Sequence, residues 1–277
     1  MRRLPDWLIY SVVLAVVLIV LFRTNEGGYT PPAAPPDKSN VVGAPLPAAS
    51  AFDPEVLVDV GPVSSGVGTA FAIRTDGWWL TARHVVDSCD KVGIVVGRGS
   101  AVPATDVKIA RFADVALIHT PKAPASMALD LDESEFRLGQ TAFHMGFPQG
   151  YPGEAASRLL GRQRLVARGR YHIEEPVLAW AEVARTSGLF GTLAGMSGGP
   201  VLDTRGRVIG ITVAESARRG RIYTATPSSI LTLLKMEKID PAGEPVGRLS
   251  LTNYGPQADR LRRGLEVAQV VCVAGNS

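Results

Sequence analysis

The chain has 277 residues, 46% of them hydrophobic and 20% charged, with a formal net charge of +3. This is the composition of an ordinary globular protein, with room for one large cored domain or two small ones. So small a charge gives no ground for a nucleic-acid partner. The basic clusters Arg218-Arg219-Gly220-Arg221 and Arg260-Leu261-Arg262-Arg263 read as solvated loop or helix faces.

Residues 1–22 stand apart. From Trp7 to Phe22 the chain is apolar and uncharged, at the short end of what spans a bilayer, where about 17–25 residues are usual. The rival is a cleavable secretory signal peptide, which needs a small-residue cleavage site after a shorter apolar core. This run passes directly into Arg23-Thr24-Asn25-Glu26, so the expectation is an uncleaved signal anchor. Arg2 and Arg3 precede it. The positive-inside rule then puts the N-terminus in the cytoplasm and the rest on the periplasmic side of a single-pass inner-membrane protein. Residues 23–54 carry Pro31, Pro32, Pro35, Pro36, Pro45 and Pro47 and few large apolar side chains. They read as an extended tether without a packed core.

The folded part is expected over 55–240. Short β-rich runs follow one another between turn residues: Thr69–Arg74, Trp78–Thr81, Lys91–Val96, Val115–His119 and Val208–Val213. Such spacing predicts an all-β barrel or sandwich. One helix is expected from Ser228-Ser229, as its cap, through Met236. Residues 68–82 and 199–212 share a pattern of glycine, strand, polar turn closing on glycine (Gly77, Gly206), then strand. The repeat hints at two similar barrels in tandem. Residues 241–277 hold a short basic helix at 258–265 and a run at Val267–Val273 that reads as a buried or edge strand. No role follows for this extension. Cys89 and Cys272 would pair in an oxidising compartment or remain two thiols. With no C-x-x-C pair, a structural zinc site is not expected.

The stretch Gly195-Met196-Ser197-Gly198-Gly199-Pro200 is either a tight turn or an exposed nucleophile flanked by close backbone amides. A serine hydroxyl needs a base, and the base an orienting acid. The four histidines, His84, His119, His144 and His172, all precede Ser197. The motif matches G-x-S-x-G, but the α/β-hydrolase fold requires a histidine after the serine. Chain order therefore rules that fold out and leaves the order histidine, aspartate, serine. His84 follows a strand in Leu80–Val86, and Asp114 interrupts the apolar run Phe112–Ile118. A carboxylate there needs a donor, which an imidazole N–H supplies.

The sequence GTAFAI, then TARHVV, ADVALI and GMSGGPV, resembles the trypsin-like (chymotrypsin-fold) serine proteases, and most nearly their bacterial HtrA/Deg-type branch. The resemblance covers about residues 60–236, including the segment Arg221–Ile230 as the strand leading into the closing helix. It implies two tandem six-stranded antiparallel β-barrels with the site between them. It implies Ser197 as nucleophile, His84 as general base and acid, Asp114 as its orienting partner, and the N–H groups of Gly195 and Ser197 as oxyanion hole. It implies a protein or peptide substrate and no cofactor or metal. A silent protease-like binding or sensor module is the alternative.

Two departures matter. Gly191 stands six positions before Ser197, where the trypsin branch has an aspartate that selects basic side chains. With Thr192, Thr212, Val213 and Ala214, Gly191 is expected to line a small apolar pocket for small or medium apolar side chains. HtrA-type proteases also carry a PDZ domain after the protease. The residues after the helix are too few for one, so assembly that depends on it is not expected. His144 reads as structural, His119 as a strand-end residue and His172 as a loop residue.

Overall fold

The computed structural model describes residues 43–275. The expected membrane anchor at 7–22 lies outside them. Among the described residues no helix is long and apolar enough to cross a membrane.

The chain is mostly β, in two seven-stranded sheets. The first takes β2 (Gly66–Ala72), β3 (Trp78–Thr81), β4 (Lys91–Gly97), β5 (Ser100–Pro103), β6 (Asp106–Ile109), β7 (Ala116–His119) and β14 (Val267–Val273). Their order is β5-β4-β14-β2-β3-β7-β6. The second takes β1 (Glu55–Val60), β8 (Thr141–Gly146), β9 (Gly153–Gly169), β10 (Ile173–Arg185), β11 (Pro200–Leu202), β12 (Val208–Ser216) and β13 (Arg221–Ala225). They run β1-β9-β10-β13-β12-β11-β8, and β8 also pairs with β9, joining the ends of a six-strand run. The expectation of two six-stranded barrels is thus corrected to two seven-stranded sheets. Each gains a strand from outside the expected repeat: β14 from the C-terminal segment, and β1, parallel to β9, from the N-terminal one.

Both repeated hairpins form, β2 with β3 in the first sheet and β11 with β12 in the second. The apolar runs of the sequence become their buried strands. Phe71 and Leu80 are fully buried in the first sheet, as are Val201 and Ile211 in the second. The helix α1 (Arg83–Val86) is a single turn after β3. The helix α2 (Pro227–Glu237) starts one residue earlier than expected, because Pro227 fits the first helical position. Its cap is Thr226, whose hydroxyl accepts the Ser229 N–H.

Two expectations about the chain's ends change, and one open alternative is decided. Residues 44–47 of the expected free tether pair with residues 136–138, the segment before β8. Leu46 N–H donates to Phe136 O and Leu138 N–H to Ala44 O, both at 2.9 Å. An extended segment carries unpaired amides and carbonyls, and the backbone of 136–138 satisfies some of them. The C-terminal run is an interior strand, since β14 lies between β4 and β2. The basic stretch 260–263 lies on α3 (Tyr254–Arg263), and Arg262 is buried rather than solvated. Its guanidinium meets Glu154 and Asp259 at 2.7 Å, and it donates to Gly153 O at 3.1 Å. Arg218 and Arg219 are exposed in the turn between β12 and β13. Cys89 and Cys272 are joined by a disulfide, which ties β14 to the chain just after α1.

Candidate active site

His84 lies on α1, at the end of the β2–β3 hairpin. Asp114 lies in the turn before β7, 5% exposed. Because β3 pairs with β7, Thr81 faces Ala116 and the two side chains start from neighbouring strand ends. His84 Nδ1–H donates to Asp114 Oδ2 at 2.7 Å, and the His84 backbone N–H donates to Oδ1 at 2.8 Å. One carboxylate therefore holds both the ring and the backbone of the same residue. With Nδ1 engaged, Nε2 is the basic nitrogen. Burial draws the His84 pKa down, but the Asp114 charge and hydrogen bond outweigh it against opposition from Arg170. The net shift is upward from 6.5.

Ser197 comes from the second sheet, on the turn before β11. Met196 beside it is fully buried among Trp180, Leu193 and Val201. Burying such a side chain is worth roughly 1.5–3 kcal/mol, so the loop is anchored one residue from the half-buried Ser197. Two glycines are required. Gly198 has φ +85°, and a Cβ there would come within 2.1 Å of Thr69 O and 2.9 Å of Ala82 N. Gly195 has φ +95°, and a Cβ there would come within 2.5 Å of Phe147 O. The turn thus presses on the hairpin that leads into His84.

A single threonine, Thr69 in β2, fastens it. Thr69 N–H donates to Ser197 O at 2.8 Å. Its hydroxyl donates to Gly195 O at 2.7 Å and accepts the Phe147 N–H at 3.1 Å. Thr69 was not singled out from the sequence, although it sits inside the GTAFAI stretch. The N–H groups of Gly195 and Ser197 have no acceptor among the described residues, whereas Met196, Gly198 and Gly199 all donate to carbonyls. Two amides are therefore free on either side of Met196. No hydrogen bond joins the Ser197 hydroxyl to the His84 ring in this structure; such contacts commonly tighten only when substrate binds.

His84 and Asp114 open on a cleft of about 500 Å³ shared with Val213, Ala214, Glu215 and residues 57–62 of β1 and its following turn. The five residues expected to form the pocket separate. Val213 and Ala214 line this cleft. Thr212 is turned away from it: the ladder of β12 with β13 shifts register between Thr212 and Ala214, and the Thr212 hydroxyl lies 3.3 Å from His144 Nδ1. Gly191 and Thr192 are exposed on a neighbouring loop. Glu215, unforeseen in the sequence, ties that loop to β12. Its carboxylate accepts the Leu193 N–H at 2.7 Å and the Thr192 hydroxyl.

The other histidines lie elsewhere. His144 is buried in the second sheet, 2.7 Å from Ser157 Oγ and edge-on to Trp180, and burial pulls its pKa down to about 3. His119 ends β7 with Nδ1 at 2.7 Å from Thr105 Oγ1. His172 is exposed beside Glu174.

Comparison with known proteins agrees with this fold. The trypsin-like peptidase domain family matches residues 68–211, and the chain belongs to that family. It is 30% identical over 174 residues to the Brucella suis protein named "Probable periplasmic serine endoprotease DegP-like", covering 61% of this chain and 31% of that one. A protein of the same name in Chlamydia pneumoniae is 25% identical over 147 residues, covering 53% and 28%. The chain thus spans about a third of the length of these DegP-like relatives. The active form of the Rv3671c protease from M. tuberculosis superposes with a TM-score of 0.51 at 16% identity. The match covers 71% of this chain and 95% of that one, and it is a likeness of fold.

Proposed function

We propose that this chain is a serine endopeptidase that hydrolyses peptide bonds through His84, Asp114 and Ser197. The observation that carries the reading is the pairing of His84 Nδ1 with Asp114 at 2.7 Å beside a pinned turn whose Gly195 and Ser197 amides have no acceptor. Ser197 Oγ attacks the scissile carbonyl carbon as His84 Nε2 takes its proton. The oxyanion of the tetrahedral intermediate accepts from the Gly195 and Ser197 N–H groups, one such donor being worth roughly 3–4 kcal/mol. The imidazolium, stabilised by Asp114, then protonates the leaving amine. Water repeats the sequence on the acyl-enzyme and frees Ser197.

Val213 and Ala214 favour small or medium apolar side chains at the cleft, and Gly191 supplies no charge to attract a basic one. A peptide library cleaved only after arginine or lysine would contradict that preference. The disulfide and the periplasmic names of the relatives support an extracytoplasmic site of action, with residues 7–22 as the membrane anchor.

One observation favours a second reading, a silent binding module: the Ser197 hydroxyl is not bonded to His84. A fluorophosphonate probe separates the two. The endopeptidase is labelled and its Ser197→Ala variant is not; a wild-type chain that stays unlabelled supports the silent module. Because His84 must be neutral to act as base, labelling should rise with pH through a midpoint above 6.5.

A further inference from the structure

Three hydrogen bonds reach the His84–Asp114 pair from the hairpin of β9 and β10. Tyr171 O–H donates to Asp114 Oδ1 at 3.4 Å. Arg170 Nη2 donates to the His84 carbonyl at 3.1 Å. Glu175 Oε1 accepts the Asp114 N–H at 2.7 Å. The hairpin belongs to the second sheet, while the pair sits on the first. All three bonds therefore cross from one sheet to the other.

The chemistry of each group suits a holding role. The Arg83 guanidinium lies 3.8 Å from the centre of the Tyr171 ring, and that of Arg170 lies 5.7 Å away. Burial and then the Asp114 charge push the phenol far above its usual range, so it stays an O–H donor. Glu175 is 1% exposed, and its Oε2 has no hydrogen-bond partner. Burial and the neighbouring Asp114 charge raise its carboxyl well above the ordinary value. A buried carboxyl with an idle oxygen is costly. Its other oxygen satisfies the backbone N–H of Asp114. The remaining charges facing these groups are Arg83 on α1, Asp87 just after it, and Arg170 at the hairpin tip.

We propose that Tyr171 and Glu175 are positioning residues, and that the β9–β10 hairpin is a bracket fixing the Asp114 carboxylate against His84. The proposal rests on the catalytic reading of that pair. Neither residue touches the reacting atoms. Tyr171 orients one carboxylate oxygen, and Glu175 fixes the backbone that carries it.

The test uses the full chain and two readouts: the rate of fluorophosphonate labelling, and the solvent exchange of the His84 Nδ1 proton followed by NMR. Tyr171→Phe keeps the ring between the arginines and removes only the hydroxyl. Labelling should slow about tenfold, the scale of a lost hydrogen bond to a charged group. The proton should exchange faster, by more than any fall in the thermal midpoint explains. Glu175→Gln keeps the acceptor oxygen and should match wild type in both readouts. Glu175→Leu removes it and should be at least as slow as Tyr171→Phe. Wild-type labelling and wild-type exchange in Tyr171→Phe would overturn the bracket and leave the triad standing. An unlabelled wild-type chain whose proton still loses protection in Tyr171→Phe would sink the triad and uphold the bracket.

Discussion

The two sheets reach completeness by different routes. The second is a run of strands in which β8 pairs with both β11 and β9, so its ladder returns on itself. The first depends on β14, which arrives from the far end of the chain and is fastened by the Cys89–Cys272 bridge. One sheet is held by its own ladder, the other by a late strand and a covalent tie. The proposed chemistry straddles this divide. His84 and Asp114 ride on the sheet with the borrowed strand, and Ser197 on the other.

The comparison can be broken most forcefully at the disulfide. Cys272→Ser should cost about 2–5 kcal/mol of stability. Hydrogen exchange should quicken in β14, β4 and α1 before β9 or β10. Equal loss of protection in both sheets would show that the tie is not local to the first.

Thr69→Val tests the seam between the sheets. The substitution keeps the shape, but it removes the donor to Gly195 O and the acceptor of the Phe147 N–H. Stability should fall by about 1–3 kcal/mol, the cost of buried orphaned groups. Fluorophosphonate labelling should slow more than thermal unfolding alone explains. A variant that labels at the wild-type rate would remove Thr69 from the support of the Ser197 turn.

The smallest effect sharpens the second sheet. His144 is neutral in the fold, with its pKa near 3, and takes up a proton on unfolding near 6.5. Below 6.5 the unfolded chain binds more protons, so stability falls as the pH drops from about 6.5 towards 3. The loss should be about 1 kcal/mol by roughly pH 5.5. His84 acts in the opposite sense: its raised pKa adds stability below 6.5 that is lost as the pH rises through the raised value. His144→Gln should flatten the acid limb of a plot of thermal midpoint against pH. An unchanged limb would place the acid sensitivity elsewhere.

What could be read in advance follows from the physics of each element. The strands β3, β4, β7 and β12 were legible because their apolar runs sit between turn residues. The hairpin of β9 and β10 was not, because Arg158, Arg162, Arg164 and Arg168 interrupt its apolar residues with side chains that reach solvent or salt bridges. The strand character of 267–273 was legible, but its neighbours were not, since periodicity carries no information about pairing partners. His84, Asp114 and Ser197 stood out as local motifs. Thr69, Tyr171, Glu175 and Glu215 did not, because their partners lie on distant parts of the chain. Thr212 is expected in the pocket from its neighbours in sequence, but the register shift of β12 between Thr212 and Ala214 is invisible there, and its hydroxyl lies against His144 instead.

A crystal structure of the chain with a peptide boronic acid, a mimic of the tetrahedral intermediate, tests the central claim most directly. The account predicts a covalent bond from boron to Ser197 Oγ. One boronate oxygen should lie within hydrogen-bond reach of both the Gly195 and Ser197 amides, and His84 Nε2 should contact the adduct. An inhibitor bound elsewhere, or an adduct on Ser197 with His84 remote from it, would contradict the account.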